Sequence, residues 1–430
     1  MTDPNRSDPT SERQPRALCL LSGIAVSERA ASSVLLALFP LYLSQHLGFT
    51  DGRAVLIAGV FSGLAYLASL LGGYLGDGPL GLPRTLLLGA VAIAVGTGAM
   101  ALDQRQLPWC TLALLVLGNG LFKPSVTTLV GRLYRASDAR RDGGFAVFYF
   151  AINIGFLIGP LVGEWSRAWF DWQAVFASAA VLMLPALVLA AVGRRRIERS
   201  AIHVIETEPT AAPGTERARI RAAVLLCGLA VLSWFAIQQT IGALVLFAQE
   251  NTRLQLAMWG WELTLRPGYF TALHGGLVLV FLPLMVRRSR RQRALGAEPS
   301  TVIKLIRGFV YLAAAFALMG LAGLRGGDAS RVSPLWLVGC YILITPGEIW
   351  LSAMGLSLMT QLAPSRLASR LVGLWMASVA IGNALTGAFG LLWSHWPHHR
   401  YFAVVALCCL VGACVLLAQL RRLESVLRRR

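Results

Sequence analysis

Lysine is nearly missing from this chain of 430 residues: of its 39 basic residues, all but Lys123 and Lys304 are arginine. Charge of either sign is scarce at 14%, and acids are outnumbered, 21 against 39. The seven cysteines (Cys19, Cys110, Cys227, Cys340, Cys408, Cys409 and Cys414) form no CxxC pair and meet no histidine at zinc spacing, so they read as reduced packing residues. HExxH, GxSxG and P-loop signatures are all lacking. That argues against a membrane enzyme as well as a soluble one. The polar balance of a soluble domain is missing too, with 56% hydrophobic residues and a mean hydropathy of +0.62. A net charge of +18 would fit nucleic acid if it lined a polar face. Here the arginines fall between apolar runs, so the expected partner is a lipid bilayer and not nucleic acid.

What the chain does have is apolar runs of membrane-crossing length, about 20 residues each. Twelve are expected, over 17–43, 54–76, 84–103, 107–131, 143–164, 171–193, 220–248, 267–286, 300–324, 333–360, 367–393 and 401–420. The polar start, residues 1–16, precedes a run too long for a signal-peptide core and without a small-residue cleavage site, so the first span is expected to be retained. Arginines cluster after spans four, six and eight and at the end of the chain, for example Arg194, Arg195, Arg196, Arg287, Arg288, Arg421 and Arg422. The opposite connections carry mostly single residues, Arg53, Arg105, Arg167 and Arg400. The positive-inside bias therefore puts both termini in the cytoplasm of a multi-pass protein of the cell (inner) membrane. Residues 194–219 form the one long polar connection near the middle and divide the chain into six-helix bundles at 17–193 and 220–420, with a basic tail at 421–430. The layout is that of an all-α polytopic transporter with a midplane site between two bundles.

Charges deep in a span are costly, roughly 2.5–3.5 kcal/mol even on the lenient insertion scale. Glu28 and Arg29 in span one, Lys123 in span four and Glu348 in span ten stand there nonetheless, and their charges sum to zero. Lys123 lies 16 residues into its span and Glu348 15 into the equivalent one of the other half, so an ion pair across the bundles is expected; pairing of Lys123 with Glu28 inside one bundle is the alternative. Pro124 and the Pro346-Gly347 step sit beside these charges, and span ten is expected to break at the latter. Asn153 is mid-span, where an amide either recognises a peptide-like group or joins two helices. His274, eight residues into span eight, fits two roles equally: a group titrating near neutral pH or a satisfied interhelical histidine. Gly73-Tyr-Leu-Gly-Asp77, followed by Gly81 and Arg84, ends span two. It reads either as a conformational turn or as a glycine-rich turn with a capping Asp.

Four segments carry a family resemblance: Ser27-Glu-Arg29, Gly118-Asn-Gly-Leu-Phe-Lys-Pro-Ser125, Phe148-Tyr-Phe-Ala-Ile-Asn-Ile-Gly155, and Gly347-Glu-Ile-Trp-Leu-Ser-Ala-Met-Gly-Leu-Ser357 continuing to Gly373-Leu-Trp375 and Gly382-Asn383. The chain resembles the proton-dependent oligopeptide transporters, a branch of the major facilitator superfamily with that fold. The resemblance implies uptake of di- and tripeptides driven by the proton gradient, with no cofactor, and a monomer is expected. It also implies that Arg29 and Lys123 hold the peptide carboxylate, that Asn153 contacts the backbone, that Tyr66 and Trp375 line the pocket, and that Glu348 pairs with Lys123 at the inner gate. The Gly73–Arg84 turn would close the inner face in that superfamily.

Departures from the pattern fall on its acids. Ala25 replaces the first Glu of Glu-x-x-Glu-Arg-Phe, Ala30 the Phe, Ser33 a pocket Tyr, and His274-Gly275 the Asn-Pro of span eight. Gln238 and Gln239 stand where one or two acids precede a Gln in span seven. With Gln239 facing the substrate, an amide can hydrogen-bond an ammonium but supplies no charge, so free N-termini are expected to bind less well. Glu28, Glu348 and His274 are then the titratable groups expected in the cavity, with a carrier or exporter of another peptide-like or carboxylate-bearing small molecule, its proton coupling altered or absent, as the alternative function.

Overall fold

The computed structural model describes residues 14–102, 109–134, 140–200, 213–258, 261–327, 330–362 and 368–428. Over these the chain is helical apart from its connections, one hairpin and an isolated bridge between Thr252 and Val332. The first six spans are α1 (Arg16–Leu41, continued by a π-helical turn, Tyr42–His46), α2 (Asp51–Asp77), α3 (Leu82–Met100), α4 (Trp109–Gly131), α5 (Arg141–Trp169) and α6 (Trp172–Ser200). The second set comprises α7 (Pro213–Ile237) with α8 (Ala243–Glu250), α9 (Pro267–Ala294), α10 (Thr301–Gly326), α11 (Leu335–Leu362), α12 (Ala368–Gly390) and α13 (His398–Ala418), followed by the short α14 (Leu420–Arg428). Eleven stretches among the described residues are long and apolar enough to cross a membrane, α7 and α8 counting as one. The remaining expected span, 367–393, coincides with α12.

A helix satisfies its own backbone groups, which is why apolar runs of this length fold this way in lipid. Large side chains such as Leu64, Leu71, Val95, Val192 and Leu407 stay on the outer surface. Inside are two apolar cores. One is drawn wholly from the first half, from Ala17 to Ile197. The other is centred on α7–α14 and reaches across to Val34, Leu38 and Val55.

Small residues let the two halves touch. Gly59 and Gly63 of α2, spaced as GxxxG, face α12: a Cβ on Gly59 would lie 2.5 Å from the Gly387 backbone, and one on Gly63 2.8 Å from the Ala380 carbonyl. Gly275 of α9 packs in the same way on the Leu157 backbone of α5. At the end of the molecule away from the termini, called distal here, Gly52 abuts Gly390 and Leu391. There too the Gly268 N–H, in the first turn of α9, donates to Glu164 Oε1 of α5 at 2.8 Å.

Several details depart from the sequence reading. The arginines at 194–199 belong to the last turns of α6, which an Arg194–Glu198 pair at 3.0 Å supports one turn apart, so the polar connection begins as helix. Its residues 201–212, like residues 1–13 of the N-terminal tail, lie outside the described residues. Span ten does not break: Pro346 sits inside a continuous α11. One missing N–H is tolerated in a 28-residue helix held on both sides by neighbours. The interruption falls in span seven, where a 3₁₀ turn over Gln238–Ile241 and Gly242 (φ −119°, ψ −106°) separate α7 from α8. An antiparallel hairpin, β1 (Gln255–Met258) with β2 (Trp261–Thr264), caps the distal connection, with Gln255 opposite Thr264.

Candidate functional site

The broken seventh span, the α4–α5 pair and α11 surround a cavity of about 270 Å³ between the two cores. Arg29, Tyr66, Lys123 and Asn153 line it from the first half, and His274 and Glu348 from the second. These six sequence candidates do meet. Arg29 and Glu28 are sequence neighbours on α1, Nη2 to Oε2 at 4.0 Å, and Arg29 Nε has no hydrogen-bond partner among the described residues. Glu28 itself is buried behind the cavity wall, accepting from Ser32 Oγ at 2.7 Å.

The expected Lys123–Glu348 ion pair is not formed in this structure, and neither is Lys123–Glu28. Among the described residues no carboxylate oxygen comes within 4.0 Å of Lys123. Its Nζ lies instead over the Tyr66 ring of its own half, 5.1 Å from the centroid. Glu348 Oε2 approaches His274 Nε2 at 2.9 Å, out of hydrogen-bond alignment. His274 is further enclosed by the rings of Phe156 and Tyr341, at 6.2 and 5.7 Å. Each charge therefore has a companion on its own side of the cavity, and the two sides stand apart. Asn153 Nδ2 donates to the Tyr149 carbonyl one turn back, at 2.9 Å, while its residue still lines the cavity.

Two candidates are elsewhere. Gln239 points away into the second core, accepting from Tyr401 Oη at 3.1 Å and donating to the Phe235 carbonyl at 3.3 Å. Adjacent residues of a 3₁₀ turn point about 120° apart, so the two glutamines face different ways, and the one that lines the cavity is Gln238. Its Nε2 donates to Ser62 Oγ of α2 at 2.8 Å. Asn383 Nδ2 reaches the same hydroxyl at 3.3 Å, so two amides of the second half converge on one serine of the first. Trp375 is packed on Gly355 of α11 and does not line the cavity; the tryptophan that does is Trp234, 6.0 Å from Tyr66. Sequence reasoning passed over Trp234, Ser62, Asn119 and Tyr149, all lining residues. Asn119 and Tyr149 lie inside the very strings that signalled the family.

The turn after α2 is tied to the end of α4 through its aspartate. Asp77 pairs with Arg132 beyond α4 at 3.0 Å, Gly81 takes φ +73° to start α3, Gly73 faces open space and Arg84 is exposed. A fifth intramembrane charge is Glu164, fully buried, with Arg167 Nε at 3.2 Å from Oε2. No group of three or more metal-ligating side chains occurs among the described residues.

Residues 21–387 match the Major Facilitator Superfamily. The peptide transporter YePEPT of Yersinia enterocolitica is 31% identical, over 80% of this chain and 80% of its own. The chain belongs to the Major Facilitator Superfamily and to its proton-dependent oligopeptide transporter branch. The uncharacterized transporter YclF of Bacillus subtilis is 29% identical, with 86% of this chain and 85% of its own aligned. A crystal structure of a POT family transporter in complex with 5-aminolevulinic acid superposes with a TM-score of 0.86 over 95% of this chain and 97% of its own, at 23% identity, which speaks to the fold. The protein is thus a membrane transporter, and the cavity between its halves is where a carrier of this superfamily binds its cargo.

Proposed function

We propose that this transporter carries short peptides or peptide-like carboxylates by alternating access, coupled to the proton gradient. The observation that carries the reading is the separation of charge across the cavity. Arg29 and Lys123 lack an aligned carboxylate on one wall, and Glu348 stands beside His274 on the other. A molecule with a carboxylate at one end and a donor at the other would bridge them, the guanidinium fork taking the carboxylate. The Gln238, Asn383 and Ser62 cluster offers amides and a hydroxyl in between.

Both termini are assigned to the cytoplasm and the membrane to the bacterial inner membrane, supported by the arginine bias of the connections. The Gly52–Gly390 and Glu164–Gly268 contacts then seal the outer face, and the cavity serves the inner one. Residues 17–193 and 220–420 act as the two rocking units, and one chain holds a whole cavity, so the working unit is a monomer. On the opposite swing Lys123 and Glu348 close on each other. Glu28 carries the coupled proton, and His274 tunes Glu348.

Substrate uptake into proteoliposomes tests the reading. Dipeptides should accumulate against their own concentration gradient when an inward proton gradient is imposed. Arg29→Lys should weaken them more than their C-terminal amides, because the bidentate fork is lost only where a carboxylate uses it. Equal loss for both would remove Arg29 from substrate binding. A second reading rests on Gln238, an amide in the cavity wall in the segment where the resemblance implies acids, which offers the ammonium end no charge there. N-acylated peptides carried better than free dipeptides, at an unchanged rate without a proton gradient, would establish it in place of the first.

A further inference from the structure

A second cavity, of about 680 Å³, opens on the flank of the second half between α9, α10 and α11. Its volume is within the roughly 300–1,000 Å³ of small-molecule sites. Helix α11 packs on both α9 and α10. The other two diverge from their short connection, which turns at Gly296 (φ +62°), and the gap between them is the cavity. Arg288 of α9 and Lys304 and Arg307 of α10 line one end, while Leu284, Tyr311 and Trp350 line the rest.

The cations are not equivalent. Lys304 Nζ is bound to Glu298 Oε1 at 2.6 Å, and Arg293 holds the same carboxylate at 2.8 Å. These two donors pull the Glu298 carboxyl down to about 2, so it stays ionised and Lys304 stays neutralised. Arg288 and Arg307 have no ion pair or side-chain hydrogen bond among the described residues. Each lies six residues from the helix end at that face, Arg288 before Ala294 and Arg307 after Thr301, or about 9 Å in by helical rise, so the guanidiniums start from one level. One turn deeper on the same helix faces come Leu284 and Tyr311, and the Tyr311 and Trp350 rings sit 5.5 Å apart behind them. Leu284 is 51% exposed, open to the lipid side.

Two unneutralised cations at one depth, with an apolar trough one turn further into the membrane, have the outline of an amphiphile. We propose that this groove binds an anionic phospholipid, its phosphate between Arg288 and Arg307 and one acyl chain over Leu284, Tyr311 and Trp350. Paired guanidiniums suit a phosphate, and basic pockets between spans at the cytoplasmic side favour anionic headgroups. Pro346 also lines the groove, whereas Glu348, two residues on, lines the transport cavity. One wall of α11 faces each, so a lipid seated here braces the helix that carries a cavity charge.

Native mass spectrometry of the full-length protein, titrated with phosphatidylglycerol or phosphatidylethanolamine, tests this. Phosphatidylglycerol should be retained about thirtyfold more tightly, from roughly 1 kcal/mol for each of two basic residues. Arg288→Gln with Arg307→Gln should erase the preference. Arg290→Gln with Arg291→Gln, on the same helix but outside the groove, should keep it. Leu284→Trp, which blocks the chain's path and leaves the charges, should also weaken retention. Glycerol phosphate in excess should not displace the lipid. Equal retention of the two lipids, equal loss in both arginine pairs, full retention by Leu284→Trp, or displacement by glycerol phosphate would each overturn the proposal.

Discussion

Glu164 is the buried carboxylate through which the distal seal can be weighed. Of its hydrogen bond from Gly268 and its ion pair with Arg167, only the first crosses between the halves, from Gly268 N–H of α9 to Oε1 at 2.8 Å, with the charge of Arg266 adding on the same side. Arg167 is one turn along the same helix, held also by Gln45 Oε1 at 3.1 Å and over the Trp172 ring at 5.4 Å. Those contacts all lie within the first half, persist when the halves rock, and cancel between the two states. What distinguishes the states is the crossing bond. A hydrogen bond to a charged group contributes about 1.5–3 kcal/mol, and a neutral one about 0.5–1.5. Glu164→Ala should therefore move the ratio of distally closed to distally open molecules by about tenfold to about a hundredfold toward open. Glu164→Gln keeps a neutral acceptor and should move it by about fivefold. Leu102, at the end of α3, and Leu335, at the start of α11, are exposed on the distal face of opposite halves. Spin labels there, in a cysteine-free background, report the separation by pulsed dipolar spectroscopy. The long-distance component should grow from wild type to Gln to Ala. Identical distributions in all three, or a larger change for Gln than for Ala, would refute the view that this bond weighs on the equilibrium.

Lys123→Ala and Glu348→Ala should each abolish uptake, and exchanging the two charges should recover part of it, because removing one partner of a buried pair strands the other at about 3–5 kcal/mol; normal uptake by either single variant would mean that the two never meet in the cycle. His274→Asn should shift the pH optimum of uptake while insertion and yield are unchanged, since Asn keeps a polar group beside Glu348 but cannot titrate; an unmoved pH profile would make the histidine a packing residue. Gly59→Val drives a side chain into the Gly387 backbone, which cannot rotate aside, and should lower stability by about 1–3 kcal/mol or more, whereas Gly73→Ala meets nothing within 4 Å and should be neutral or stabilising by up to about 1 kcal/mol. A thermal melt of the two variants side by side checks that contrast.

The spans were readable because lipid enforces one rule on every residue of a crossing segment, and a 20-residue sum of hydropathy averages out local noise. Which side chains face the cavity is a finer property. Gln238 and Gln239 differ by one position, and the 3₁₀ turn that decides between them arises from packing against α2 and α13, with no proline to mark it. Trp375 follows from the family motif alone, yet the glycine at 355 gives it a place in the helix contact. Pro346 looked like a break and is not one, because neighbours support a helix that its own sequence would weaken. Glu164 escaped notice at the edge of its apolar run, where a carboxylate looks like the start of a loop. The Lys123–Glu348 pair failed for another reason: matching depth states that two groups can meet, and a carrier's halves are together at that face for only part of its cycle.

The near absence of lysine gives the molecule an unplanned reporter. With Lys304 clamped by Glu298, the remaining side-chain amine is Lys123, resting against Tyr66 in the wall of the transport cavity. Acylating reagents that would scatter over most proteins have here a single interior target beside the chain's own α-amine. The thirty-seven arginines, 39 basic residues less two lysines, supply the positive field without reacting. The rate at which Lys123 is acylated by a membrane-impermeant reagent, from one side of the membrane or the other, then times the opening of the cavity to that side in the unmutated protein. A bound substrate that covers the amine should appear as protection of one peptide in a digest.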